Sequence, residues 1–262
     1  MNRILLCLLS CAFVASAQPK PDLSGVWEFD KVKSPPAPKL KRMTFKIAQD
    51  ASTFSVATQY LSSGSVQDNA ATYKIGGSST GTMHGGPMTS NAAWDGQTLV
   101  VKSVVKLNQD LVLTDYWSLS PDGKTITFRE VSKFGTSPEE DTTRFYSKQP
   151  EATWDPQAFD KPAEQIFQNI QSLKGVPAKR LGGVMNNFTR WLGVDCAYCH
   201  ELSAYEKDDK APKQTTRRMF TMVRKINQES NFSGPPNPVT CWTCHRGEAK
   251  PQSLPAPAKP AQ

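Results

Sequence analysis

The chain has 262 residues, which is long for one domain and comfortable for two. Its apolar content of 38% fits a globular protein and excludes a chain disordered throughout. Lys and Arg number 31 against 24 Asp and Glu, a formal charge of +7, and this basic excess is unevenly placed along the chain.

At the N-terminus, Arg3 gives a short basic start and residues 4 to 17 are nearly all apolar or small. Ala15-Ser16-Ala17 then supplies the small-residue pattern read by signal peptidase, so residues 1–17 are expected to be a leader cut after Ala17. The run falls short of the about 20 apolar residues of a membrane span. No other segment qualifies, and a soluble periplasmic protein is expected. A rival reading starts from Leu8-Leu9-Ser10-Cys11, which resembles a bacterial lipoprotein cleavage site. Lipidated Cys11 would then be the means of membrane contact.

Residues 18–148 are read as an antiparallel β domain. Met43-Thr44-Phe45-Lys46-Ile47 alternates apolar and polar, and Leu99 to Val105, Val112 to Leu119 and Thr125 to Phe128 are further strands. Asp95-Gly96 and Asp122-Gly123 mark hairpin turns. Roughly eight to ten short strands without long helical patterns predict a barrel or sandwich. Leu23-Ser24-Gly25-Val26-Trp27 resembles the opening strand of lipocalin-like barrels. His84, between Met83 and Met88, offers copper-binding chemistry, with a Gly-rich surface turn as the plainer reading.

Residues 149–162 contain Pro150, Pro156 and Pro162 and are read as a linker. Helical spacing follows in residues 163–250. Ile166, Phe167, Ile170 and Leu173 make one stripe, and Leu181, Val184, Met185, Phe188, Trp191 and Leu192 another, stopped at Gly193. A third helix is predicted from Pro212 to Asn227, with Met219, Met222, Val223 and Ile226 on one face. Residues 251–262 form a Pro- and Ala-rich tail. Residues 18–160 hold 15 basic and 16 acidic side chains, whereas residues 161–250 hold 14 and 8. The second half therefore offers either a solvated helical surface or a docking face for an acidic partner. Nucleic acid is not an expected partner of an exported chain without a binding motif.

The four cysteines beyond the leader fall in Cys196-Ala197-Tyr198-Cys199-His200 and Cys241-Trp242-Thr243-Cys244-His245. Cys-x-x-Cys-His is the attachment motif of c-type haem. Each thiol adds across one vinyl group, the two-residue gap lets both sulfurs reach one edge of the ring, and the next imidazole faces the iron. A zinc ribbon fits poorly, because 41 residues separate Cys199 from Cys241 against the usual about 15–20. Redox disulfides would explain the pairs but not the histidines, of which the chain has three. Two covalently bound haem c groups are therefore expected, held through Cys196, Cys199, Cys241 and Cys244, with His200 and His245 on the irons. Their four propionates would offset much of the basic excess.

His84 is the one spare histidine, so two bis-histidine haems are excluded. Methionine is the natural sixth ligand. Met185 and Met219 each precede a motif on a predicted helix, and Met222 follows three residues after Met219, so periodicity leaves those two open. The segment from about Ile166 to Arg246 resembles the cytochrome c subunit family of photosynthetic reaction centres. The likeness runs through Asn169 to Pro177, the first haem motif, Tyr205 to Lys210, the Lys213 to Met219 helix and Cys241 to Gly247. The resemblance implies a repeated unit of Met-bearing helix, turn and attachment motif, with Met185 serving the first haem and Met219 the second. The expected function is a dihaem carrier that exchanges single electrons with redox partner proteins and not an enzyme, because two suitably placed methionines argue against an open iron, and the resemblance leaves the partner open. The rival function is a dihaem peroxidase or small-molecule reductase, which would need a displaceable sixth ligand at one iron.

Overall fold

A computed structural model of the chain describes residues 19–229 and 238–251. The predicted leader, with Cys7 and Cys11, and the tail beyond residue 251 lie outside the described residues.

Ten antiparallel strands form one sheet. They are β1 (Gly25–Phe29), β2 (Leu40–Gln49), β3 (Thr53–Ser62), β4 (Val66–Lys74), β5 (Gly77–Met83), β6 (Gly86–Asp95), β7 (Thr98–Lys106), β8 (Asp110–Leu119), β9 (Thr125–Phe134) and β10 (Glu140–Gln149). The order β4-β3-β2-β1-β10-β9-β8-β7-β6-β5 is a meander closed by pairing β1 with β10. Its two edges, β4 and β5, also lie close, and the bend between them is pinned to β6, where Gly76 N–H donates to Ala92 O at 2.7 Å. The result is a nearly closed barrel. The Asp95-Gly96 and Asp122-Gly123 turns sit where the sequence puts them, with Gly96 and Gly123 at φ 57° and 68°. That left-handed conformation suits a residue without Cβ.

Alternation decides which side chains turn inward. Along β6, Met88, Ser90 and Ala92 are buried and their neighbours face solvent. Phe45, Trp117, Phe128 and Tyr146 interlock in the barrel, with Phe45–Tyr146 and Trp117–Phe128 centroids each 4.4 Å apart. Trp27 is fully buried and donates its Nε1–H to Leu23 O at 2.9 Å. Asp115 also turns inward. Its Oδ1 is shut off from solvent without a hydrogen-bond partner, and burial pushes its carboxyl up to about 8.

The segment predicted as a linker docks against the barrel. Lys46 pairs with Glu151, Gln59 donates to Asp155 O, and Phe159 is buried. Among the described residues five α-helices follow: α1 (Ala163–Ile166), α2 (Leu181–Leu192), α3 (Cys196–Cys199), α4 (Ala211–Gln228) and α5 (Cys241–His245). The helical stripe expected through Leu173 is not one helix. It breaks after Ile166, and Asn169 adopts φ 59°. The Asn169 amide instead donates to Glu206 O and to Asp208 Oδ1, so tertiary bonds override the local apolar spacing. Helix α2 ends as expected, with Gly193 at φ 61°. Among the described residues no helix is long and apolar enough to cross a membrane.

Candidate haem sites

The first site is built by the turn out of α2. Asp195 caps α3, its Oδ1 accepting from Tyr198 N–H at 3.0 Å. The cap fixes one helical turn that carries Cys196 and Cys199 three residues apart, on adjoining parts of one face. His200 follows in extended conformation, with Nδ1 3.1 Å from Tyr205 O. A carbonyl only accepts, so Nδ1 carries the proton and Nε2 keeps a free lone pair. Burial lowers the His200 pKa, which favours the neutral imidazole that a metal ligand requires. The Tyr205 ring lies against the imidazole at 5.1 Å.

The loop that supplies this carbonyl is itself anchored. Lys213, buried on α4, donates to Tyr205 O at 2.8 Å and to Lys207 O at 2.6 Å. Asp208 accepts from Arg217 Nη1 at 2.7 Å, and that bond holds its carboxyl well below the usual range. Beside the motif opens a cavity of about 750 Å³. Both thiols, His200, Met185, Phe188 and Phe220 line it. Burial pushes the Cys199 thiol up.

The second site repeats the plan with other means. Thr240 and Thr243 form a reciprocal cap on α5, which carries Cys241 and Cys244. His245 Nδ1 lies 2.9 Å from Glu248 O, again leaving Nε2 free. Asn227 brackets Val239 with two bonds of 2.7 and 2.8 Å, tying the end of α4 to the approach of the motif. Gly247 N–H donates to Trp191 O at 3.0 Å and seals α5 onto α2. Met219 and Met222 are 41% and 45% exposed and adjoin on α4, so access does not separate them.

Thus the structure brings Met185, Cys196, Cys199 and His200 to one cavity. Cys241, Cys244 and His245 sit together on the short turn of α5, while Met219 stands on α4. Among the described residues no group of three His, Cys, Asp or Glu could hold a metal ion, so the two cysteine pairs do not form one zinc cluster. The donor sets fit covalently held haem: paired thiols on one turn and an imidazole with free Nε2 at each motif, and at the first also apolar walls with the Met185 thioether. His84 stands exposed in the turn between β5 and β6, and Met88 points into the barrel core, so those two do not form a site together.

Sequence reasoning did not single out the two carbonyls that orient the imidazoles. Main-chain acceptors leave no side-chain signal. It also missed the barrel residues at the first cavity, Lys39, Lys41 and the Leu61–Ser65 turn.

Residues 131–261, half of the chain, match the family model described as photosynthetic reaction centre cytochrome C subunit. The chain belongs to that family. A relative of that name from Roseobacter denitrificans is 30% identical over 144 residues, covering 51% of this chain and 38% of its own. Another, from Thermochromatium tepidum, is 35% identical over 92 residues, covering 34% and 23%. The chain thus spans well under half the length of these relatives. The secretory abundant heat soluble protein 4 of Ramazzottius varieornatus is similar over 48% of this chain and 94% of its own, at 17% identity and a TM-score of 0.33.

Proposed function

We propose that the chain is an exported dihaem c-type cytochrome that passes single electrons between redox partner proteins in the periplasm. The observation that carries this reading is the doubled site: at each motif, two thiols share one helical turn and the following imidazole has its Nδ1 held by a carbonyl. Membership of the reaction centre cytochrome family supports it. A bound haem c supplies an iron that alternates between ferric and ferrous.

The chain's own residues would do the rest. Cys196, Cys199, Cys241 and Cys244 would hold the two haems through thioethers, and His200 and His245 would ligate the irons. Met185 and Met219 are assigned as sixth ligands. Residues 1–17 are assigned to the leader, residues 18–148 to a β domain and residues 163–250 to the haem-binding domain. Several cations of the helical half are already paired internally, as Lys210 is with Glu201 and Arg217 with Asp208. The remaining basic side chains are the candidate docking groups for an acidic partner.

The test is stoichiometry and access. Purified mature protein, extracted with acid acetone and assayed as pyridine haemochrome, should retain two haems per chain. Haem lost to the solvent, or one haem retained, would overturn the reading. Rapid carbon monoxide binding by the reduced protein would instead favour a peroxidase or reductase.

A further inference from the structure

The first cavity is not built from the helical half alone. One end of the barrel closes it. Lys39 and Lys41, flanking the start of β2, and the Leu61–Ser65 turn between β3 and β4 line the same space as Cys196, Cys199 and His200. The turn is rigidly made. Ser63 N–H donates to Lys39 O at 2.9 Å, and Ser62 N–H to Ser65 O at 2.8 Å. It also touches the haem-side machinery, since a Cβ added at Gly64 would lie 3.1 Å from the Tyr205 ring. Tyr205 is the residue whose carbonyl holds His200 and whose ring lies on the imidazole.

The charges in this cavity are unequally engaged. Lys213 and Arg217 both pair with Asp208. Asp195 caps α3. Lys39 and Lys41 make no ion pair among the described residues. Glu206 also lines the cavity, on the helical side. A haem brings two carboxylates on the edge opposite its thioethers, and these need cations or water. Lys39 and Lys41 are the cavity-lining cations of the barrel that no ion pair among the described residues already engages.

We infer that the barrel is a wall of the first haem site, with Lys39 and Lys41 taking the propionate edge of the haem at Cys196 and Cys199. This rests on the dihaem reading and deepens it. Two positive charges beside the ring favour the ferrous state, which carries one positive charge fewer than the ferric. The barrel therefore raises the potential of the first haem and leaves the second alone.

The experiment is a spectroelectrochemical titration of full-length holoprotein carrying Lys39→Gln and Lys41→Gln. Both residues are exposed, so the fold should tolerate the change. At a fixed applied potential, the reduced-to-oxidised ratio of the first haem should fall about tenfold, about 59 mV for a one-electron couple. The second haem should not move, and the Lys→Arg pair should restore the wild-type value. The first haem is identified as the wave retained by the Cys241→Ser/Cys244→Ser chain or, if that chain does not mature, as the wave moved by Met185→Ala. Equal shifts of both haems, or no shift of the first, would overturn the inference. Amine labelling read by mass spectrometry provides a second measurement. Lys39 and Lys41 should react more slowly in holoprotein than in a Cys196→Ser/Cys199→Ser chain, and equal reactivity counts against the inference. A haemochrome assay that finds no haem at the first motif would instead sink the functional reading itself.

Discussion

Met219 and Met222 differ by three residues on α4, a turn of about 300°, so their sulfurs point about 60° apart. Phe220, between them in sequence, faces the first cavity, and Met219 and Met222 lie about 100° and about 160° round the helix from it. Only one of the two sulfurs would ligate an iron there. The family resemblance selects Met219. Met219→Ala should open one haem to carbon monoxide, lower its potential and remove its sulfur-to-iron charge-transfer band. Met222→Ala should keep both low-spin spectra. The reverse pattern would transfer the assignment to Met222.

Asp115 makes a residue-scale prediction in the barrel. Its folded pKa of about 8 lies above the unfolded value near 3.9, because burial disfavours the charge, Glu130 adds to the effect and Arg144 opposes it. Between those values the folded state binds more protons than the unfolded one, so barrel stability should fall as pH rises from about 4 to about 8. Asp115→Asn cannot ionise. It should flatten that dependence and stabilise the barrel by about 1–3 kcal/mol above neutrality. Urea melts followed by tryptophan fluorescence at pH 5 and pH 8.5 would read it, and equal slopes in both proteins would refute it.

At the scale of elements, α2 serves both sites. Its Met185 and Phe188 line the first cavity, and its last turn holds Gly247 through Trp191 O. A Cβ at Gly193 would fall 1.9 Å from Gly247 O, at a residue already in left-handed conformation. Gly193→Ala should therefore push α5 off α2 at a cost of about 1–3 kcal/mol. The second haem's potential and spectrum should change while those of the first stay. A variant with both haems unaltered would show that this contact does not matter.

Helix α2 was legible in the sequence because its stripe and its terminal glycine agree. The strands were legible because the sheet has a wet face and a dry one, so polarity alternates with period two, as in Met43 to Ile47. Both Cys-x-x-Cys-His motifs stand out in the sequence because haem attachment needs fixed side chains at fixed spacing. The break after Ile166 was not, because Asn169 leaves the helix to bond Glu206 and Asp208, which lie more than 35 residues away in sequence. Nor was the approach of Gly64 to Tyr205. It joins residues from opposite halves of the chain, and no local pattern encodes it.

On the scale of the whole molecule, the two halves are stabilised in different ways. The barrel core is continuous and holds large aromatic and aliphatic side chains that are fully or nearly fully buried. In the helical half the buried cluster consists of Ala163, Leu173 and Leu181, with partly buried neighbours around it. Large apolar side chains meanwhile stay exposed beside the motifs, namely Tyr198, Leu202, Met219, Met222 and Trp242. Burying such a side chain is worth about 1.5–3 kcal/mol, and a haem plate would cover several of them. The helical half thus lacks the apolar area to offset its own ordering entropy until haem is attached. Chain produced without the haem-attachment machinery should keep an intact barrel, with dispersed methyl and amide signals from residues of β1 to β10 and a cooperative melt. Residues of α2 and α4 should give collapsed, poorly dispersed signals and be cut first by protease. Attachment of haem should restore protection in α2 and α4 together, since each lines the first cavity. Haem-free protein with a well-dispersed helical spectrum and protease resistance through Gln228 would refute this account.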